Sequence, residues 1–139
     1  LILENRKLGD ESVSQLSNLE VLSEVITLDL GENNISDTGV HTLVNSPYIE
    51  NLKTLNLKSN NLTEEGAKFI AESPKLKDLE HLILKFNRIG EAGANYLAQS
   101  ETLTNLRTLD LFRNRIGDAG VKAIKKSKNF RGVSRMRLD

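Results

Sequence analysis

The chain has 139 residues, 19 Lys and Arg side chains against 19 Asp and Glu, and no cysteine. This length suits one domain, and the lack of cysteine excludes a disulfide framework, a thiolate metal site and a thiol nucleophile. Balanced charge argues against a nucleic-acid binder that relies on bulk positive charge, and no apolar run approaches the roughly 18 residues of a membrane span. Aromatic residues make up only 4% of the chain, so we expect an aliphatic core.

A repeat of 27 residues runs through the whole chain. Its copies open with VITLDLGENNI, LKTLNLKSNNL, LEHLILKFNRI and LRTLDLFRNRI, and a last copy stops after VSRMRLD. The first segment, LILENRKL, falls in the same register. We therefore divide a single domain into a partial repeat at 1–24, full repeats at 25–51, 52–78, 79–105 and 106–132, and a partial repeat at 133–139.

Each full copy predicts a short strand followed by a helix. The L-x-L pairs have a period of two, which indicates strands whose leucines point into the core. Ser36 and Thr63 precede acidic residues and are predicted to cap the next two helices, whereas Gly90 and Gly117 replace the cap in later copies. The buried pairs are expected to be Leu28 and Leu30, Leu55 and Leu57, Leu82 and Leu84, and Leu109 and Leu111.

Glycine recurs within the first turn of each predicted helix. A glycine there costs about 1 kcal/mol relative to alanine, so we expect a packing reason, namely close approach of the helix to the strand. Proline follows two of the helices, at Pro47 and Pro74, and is predicted to end them. The glycines are Gly39, Gly66, Gly93 and Gly120.

A single strand and helix cannot bury their apolar faces alone, so the copies must stack. Stacking predicts an α/β solenoid with a parallel sheet on one face and helices on the other. Because helices are wider than the ~4.8 Å strand spacing, the sheet side should be concave. Both ends stop within repeats, and terminal repeats normally need polar caps, so we expect the chain to be a fragment of a larger protein.

The pattern L-x-x-L-x-L-x-x-N-x-I/L, followed by a helical half such as TEEGAKFIAESPKL, resembles the leucine-rich repeat family along essentially the entire chain. The G-A/V-x-x-L/I-A-x-S form is most similar to its ribonuclease-inhibitor-like subfamily. This resemblance implies cytoplasmic recognition of a protein partner, as in inhibitors, innate-immune receptors and bacterial effectors. Two alternatives stay open: a GTPase-activating protein of the Ran-activator type, which shares this repeat, and a structural spacer within a larger receptor or effector.

An asparagine recurs where each copy turns away from its strand. An amide both donates and accepts, so a stacked column of them can satisfy backbone groups in neighbouring copies. We interpret the column as a structural ladder. Arg6 takes this position in the first copy, which predicts a weaker ladder and a terminal coil there. The ladder comprises Asn33, Asn60, Asn87 and Asn114.

The sequence offers little for catalysis. His41 is predicted on a solvated helix face and His81 on the outward side of a strand, so no two-histidine metal site within one coil is suggested. No phosphate-loop, HExxH or GxGxxG pattern occurs, and the glycines follow the repeat. We predict no catalytic residue, no metal and no cofactor.

Variation at the outward positions is more informative, because the repeat fixes the inward ones. Toward the C-terminus these positions gain aromatic and basic side chains, which are typical of interface anchors. The alternative is that Phe86 and Phe112 tuck under the rim of the sheet or merely decorate it. The predicted partner-binding residues are His81, Ile83, Lys85, Phe86, Asp110, Phe112, Arg113, Arg135 and Arg137.

Charge is separated along the chain. Residues 1–50 carry nine acidic and two basic side chains, residues 51–106 carry seven of each, and residues 107–139 carry three acidic and ten basic. Sequence order is spatial order in a solenoid, so the domain should be a dipole. Complementary ends with open strand edges, around Leu1–Glu4 and Arg135–Leu138, predict weak head-to-tail self-association.

Overall fold

The computed structural model describes all residues 1–139 and consists of one parallel sheet and one row of helices. Each full copy of the repeat contributes one strand and one helix, the first partial copy adds a helix and the last adds a strand. Short 3₁₀-helices at Glu20–Glu24, Pro74–Leu76 and Lys128–Phe130 connect three helices to the following strands. The strands are β1 (Thr27–Asp29), β2 (Thr54–Asn56), β3 (His81–Ile83), β4 (Thr108–Asp110) and β5 (Arg135–Arg137). The helices are α1 (Gly9–Ser17), α2 (Asp37–Val44), α3 (Glu64–Glu72), α4 (Gly90–Ala98) and α5 (Gly117–Lys126).

The strands follow one another in sequence order, and every neighbouring pair is parallel. Equivalent residues of neighbouring copies pair with each other, so Leu28 pairs with Leu55 and Leu82 with Leu109. The first partial copy contributes no full strand and joins this sheet through a bridge between Ile2 and Asp29 and a further hydrogen bond from the Asn5 N–H to the Gly31 carbonyl at 2.9 Å. The predicted α/β solenoid with sequential parallel strands is confirmed.

The core is a continuous aliphatic column between the two layers. All eight leucines of the four L-x-L pairs are fully buried, as the period of two predicted. Helix residues such as Val40, Ile70 and Leu97 close the column from the other side, and Phe130 is the only aromatic residue in it. Since no copy has a core of its own, stability depends on contact between neighbouring copies.

The helices begin in two ways, either with a side-chain cap or with a glycine at positive φ. The Ser36 and Thr63 hydroxyls accept hydrogen bonds from the N–H groups of Thr38 and Glu65, both at 3.3 Å, so the predicted caps are confirmed. At α4 and α5, Gly90 and Gly117 have φ of +68° and +67°. This left-handed conformation is unfavourable for residues that carry a Cβ. Glycine therefore replaces the cap in those copies for a backbone reason.

The recurrent helical glycines do allow close packing, but not against a strand. A Cβ on Gly93 would collide with Ile89 Cγ2 in its own copy and lie 3.1 Å from the Cβ of Ala67 in α3, and Gly120 meets Ile116 and Ala94 in the same way. The expected approach of helix to strand is therefore wrong, because these glycines face the isoleucine before their own helix and the preceding helix. Their absent side chains set the spacing of the helical row.

The asparagine column connects the copies through hydrogen bonds. The Asn60 Oδ1 accepts from the backbone N–H groups of Asn33 and Ile35 at 3.1 and 3.0 Å. Its Nδ2 donates to the carbonyls of Leu30 and Leu57 at 3.0 and 3.1 Å. All four ladder asparagines are buried, so these backbone groups have no access to water as a substitute.

The two ends of the column differ. At the first copy, the Arg6 side chain is exposed and supplies no bridging amide, while its backbone N–H donates to Asn33 Oδ1 at 2.9 Å. At the last copy, the Asp139 carboxylate accepts from the N–H groups of Asn114 and Ile116 at 3.1 and 2.7 Å. A carboxylate thus makes the contacts that the Oδ1 of a ladder asparagine makes in the other copies.

A second ladder, of serines, lies on the opposite side of the helical row. Each hydroxyl donates to a backbone carbonyl in the preceding copy at 2.6 Å, as Ser73 does to Val44 and Ser100 to Ala71. The sequence pattern shows this serine only as part of the helical half, although its spacing of one repeat is as regular as that of the asparagines. The serines are Ser46, Ser73, Ser100 and Ser127.

We expect Asn60→Ala to destabilise the fold by about 3 kcal/mol, because several buried backbone groups lose their partner at once. Urea unfolding measures this change. Asn61→Ala is the matched control, since Asn61 is exposed and its side chain makes no hydrogen bond. Equal stability of the two variants would show that the ladder contributes nothing.

Candidate functional site

Two phenylalanines form an exposed aromatic pair just beyond the ends of β3 and β4. The Phe86 side chain is exposed, at 47%, and that of Phe112 is half-buried. Their ring centroids lie 5.8 Å apart in an edge-to-face arrangement, and the Phe86 N–H donates to the Phe112 carbonyl at 2.9 Å. The pair is therefore held by both backbone and rings, and one ring faces solvent.

Basic side chains surround this pair. The Arg137 Cζ lies 4.2 Å from the centroid of Phe112, and the Arg113 Cζ lies 5.3 Å from the same centroid. On the other ring, the Lys85 Nζ lies 5.9 Å from the centroid of Phe86. These distances suit cation–π attraction, which holds each charge near the ring while leaving its N–H groups free to donate. We call these five residues the aromatic–basic cluster.

A cleft of about 580 Å³ opens beside the cluster. Two of its arginines, Arg88 and Arg115, are absent from the residues predicted as partner-binding. Both directly follow a ladder asparagine, in the recurrent tripeptide NRI, and that recurrence was the signal that could have identified them. The cleft is lined by Phe86, Asn87, Arg88, Phe112, Arg113, Arg115 and Asp139.

The guanidinium groups of this region have no carboxylate partner in the chain. Every ion pair of the structure involves Lys53, Lys58, Lys75 or Arg107, and none involves an arginine of the cleft or of the cluster. The single carboxylate in the cleft, Asp139, accepts from backbone N–H groups instead. The site therefore carries net positive charge beside an exposed ring, with three arginines against one side-chain carboxylate.

The backbone at this site is held in an unfavourable conformation. Phe86 and Arg113 both have φ of 60°, and the equivalent residues Asn5, Glu32 and Ser59 also have positive φ. Asparagine tolerates this region, whereas a bulky aromatic residue there is a genuine outlier. Because the repeat imposes the conformation, placing phenylalanine at this position has a conformational cost, of order 1–3 kcal/mol.

The remaining predicted residues lie along the sheet. His81 Nδ1 is 2.9 Å from Thr108 Oγ1, and Ile83 lies between Asn56 and Asp110 in register. Asp110 Oδ1 accepts from the N–H of Phe112 at 3.0 Å, so its carboxylate holds the turn that carries the aromatic ring. Arg135 is exposed on β5.

A profile described as Leucine Rich repeat matches four segments, residues 25–44, 48–71, 75–98 and 102–125, which together span about two thirds of the chain. The chain belongs to the leucine-rich repeat family. The last three matches begin at intervals of 27 residues, the same period as the repeat read from the sequence. No curated protein matches the chain.

Leucine-rich repeats generally mediate protein–protein interaction and are generally not enzymes. None of the five helices of this repeat domain is both long and apolar enough to cross a membrane. The structure contains no cluster of three or more potential metal-binding side chains.

The other end of the leucine-rich repeat sheet is acidic, and one lysine bridges two of its carboxylates. The Lys58 Nζ lies 2.5 Å from Glu4 Oε1 and 3.7 Å from Glu32 Oε1, and its stem passes over Gly31, where a Cβ would collide with it. The hydrogen bond from Lys58 holds the pKa of the Glu4 carboxyl below its usual range and raises the pKa of Lys58. Here a basic side chain is matched with carboxylates, in contrast to the arginines of the cleft.

A depressed pKa at Glu4 predicts acid sensitivity. The ion pair contributes its full stability above the ordinary carboxyl pKa of 4.5, and this contribution is lost as pH falls through the lowered pKa of the folded state. We expect Glu4→Gln to lower the urea midpoint at about pH 7 and to have no effect at about pH 2. Glu101→Gln is the control because Glu101 is exposed, lies outside the helices and forms no ion pair. The same effect at both pH values would contradict the assignment.

Proposed function

We propose that this leucine-rich repeat domain is a non-catalytic binding module whose partner is a protein. The observation that carries the proposal is the exposed Phe86–Phe112 pair surrounded by arginines without carboxylate partners. Interface hot spots are enriched in aromatic residues and arginine, clustered where water is excluded on binding. The proposed surface is the sheet face and its C-terminal rim. It comprises His81, Ile83, Lys85, Phe86, Asp110, Phe112, Arg113, Arg135 and Arg137.

The subfamily of the chain, its cytoplasmic role and its concave binding face are part of the same proposal. The G-A/V-x-x-L/I-A-x-S pattern of the helical half supports membership of the ribonuclease-inhibitor-like subfamily, and through that resemblance a role in cytoplasmic recognition. Helices need more lateral room than strands, and this difference supports a concave binding face on the sheet side.

Two alternatives make different predictions. A GTPase activator of the Ran-activator type would accelerate GTP hydrolysis by a small GTPase, and a structural spacer would bind nothing through the sheet face. Neither alternative accounts for an aromatic side chain at a backbone position that disfavours it. Single-turnover GTP hydrolysis with and without the domain tests the first.

We expect Phe86→Asn to abolish partner binding while leaving the fold intact. Asparagine occupies the equivalent position in the first copy, at Asn5, with φ of 54°. Relief of backbone strain opposes the loss of the contact with Phe112, so the free energy of unfolding should change by no more than about 1 kcal/mol. Quantitative pull-down from cell lysate measures the binding.

The matched control for this pull-down is His41→Asn, which removes an exposed aromatic ring from the helix face. Proteins that wild type and His41→Asn retain, and that Phe86→Asn loses by about tenfold or more, are partners of the proposed surface. Identical recovery of every protein by all three would contradict the proposed site.

We also propose weak head-to-tail self-association. The outer side of β5 is an unpaired strand edge that carries exposed Arg135 and Arg137, and Ile2 lies exposed at the acidic end. We expect sedimentation velocity to show a concentration-dependent shift that high salt reduces, because attraction between such ends is screened beyond about 8 Å at physiological ionic strength. A monomer at every concentration and ionic strength would contradict this.

A further inference from the structure

We infer that the cleft beside Phe86 and Phe112 binds an acidic peptide segment carrying an aromatic or large aliphatic anchor residue. This inference rests on the proposed function and specifies the chemistry of the partner. Three properties of the site carry it: the balance of charge around the cleft, the one open aromatic ring, and the short extent of the basic surface.

The positive charge of the C-terminal region is available to an external group. Residues 107–139 contain only three acidic side chains against ten basic ones. Asp110 and Asp139 accept from backbone N–H groups, and Asp118 lies in the first turn of α5, where a carboxylate favours the helix dipole. None of the three forms an ion pair with Arg88, Arg113 or Arg115, and the three guanidinium groups outnumber the one side-chain carboxylate of the cleft. A carboxylate brought by a partner could accept two parallel hydrogen bonds from one guanidinium.

The aromatic pair favours a large apolar side chain in the bound peptide, placed between the carboxylates of that peptide. Arg137 and Arg113 both lie over Phe112. Phe86 is exposed and has only one basic side chain near its ring, Lys85 at 5.9 Å, so it is the ring with room for a further contact. An incoming aromatic ring can pack edge-to-face on Phe86 as Phe112 already does, and an aliphatic group can cover the same surface. A cleft of about 580 Å³ has room for one large side chain and its polar neighbours.

The extent of the basic surface favours a peptide over a nucleic acid. A single strand is bound along a continuous positive groove, with bases stacked on successive aromatic residues. Here the same sheet face carries Asp29, Glu4 and Glu32 at its other end, and the basic surface is confined to the last copies. A polyanion longer than the cleft would meet repulsion, whereas a short acidic segment would not.

A library of short random peptides displayed on phage, selected against the intact domain, tests this inference. We expect enrichment of sequences in which aspartate or glutamate flanks a phenylalanine, tyrosine, tryptophan or leucine. The enriched peptide is then synthesised together with an analogue in which every carboxylate is replaced by its amide. Isothermal titration should show at least a tenfold weaker affinity for the analogue, and affinity for the parent peptide should fall as salt is raised.

Two double variants distinguish binding in the cleft from general attraction to positive charge. Arg113→Gln combined with Arg115→Gln should weaken the acidic peptide by about tenfold or more, since both guanidinium groups line the cleft. Lys125→Gln combined with Lys126→Gln removes the same charge from the exposed end of α5 and should leave affinity within about twofold. Equal losses from the two double variants would overturn the inference.

Other outcomes also overturn it, and they separate it from the proposed function. Enriched peptides without acidic residues, or tighter binding of an oligothymidylate than of any peptide, would overturn the acidic-peptide assignment. No enrichment, together with lysate proteins that Phe86→Asn loses, would overturn the assignment and leave the proposed function standing. No enrichment and no such lysate protein would contradict both.

Discussion

The hydrogen bonds of the buried asparagine amides hold the whole architecture in register. Each amide accepts from one or two backbone N–H groups of the preceding copy and donates to carbonyls of its own and the preceding copy. Asn60 does so with Asn33, Ile35, Leu30 and Leu57. A copy inserted or slipped by one residue would leave those groups buried and unpaired, at a cost of about 1–3 kcal/mol each. The constant period therefore has a physical cause, and the parallel strands, helical row and surface columns all follow from it.

Much of the fold was predictable because repetition multiplies weak signals. One L-x-L pair would not distinguish a strand from a short buried helix, but four pairs at one spacing predicted inward leucines, and all eight are buried. Contacts between copies were harder to predict, since the sequence shows which residues recur but not what lies opposite them. The helical glycines illustrate this: their recurrence predicted close packing, yet the neighbour is the preceding helix and not the strand.

The candidate site was predictable in its composition and less so in its extent. Phe86, Phe112 and the basic residues near them stood out because they interrupt otherwise polar columns. Arg88 and Arg115 were missed because they follow the ladder asparagine, beyond the positions counted as outward, and only the fold of the turn brings them to the cleft. Asp110 was grouped with the binding residues, but its bond to the Phe112 N–H is a local turn interaction that spacing does not reveal.

The left-handed residue after each strand gives the domain a set of independent display positions. Asn5, Glu32, Ser59, Phe86 and Arg113 share one backbone conformation but have side chains of entirely different chemistry, and all five lie outside the hydrophobic core. A substitution at any of them changes what one copy presents to solvent without repacking the hydrophobic core. The binding surface can therefore change at one copy of the repeat at a time. The main local constraint on each change is whether the new residue tolerates positive φ.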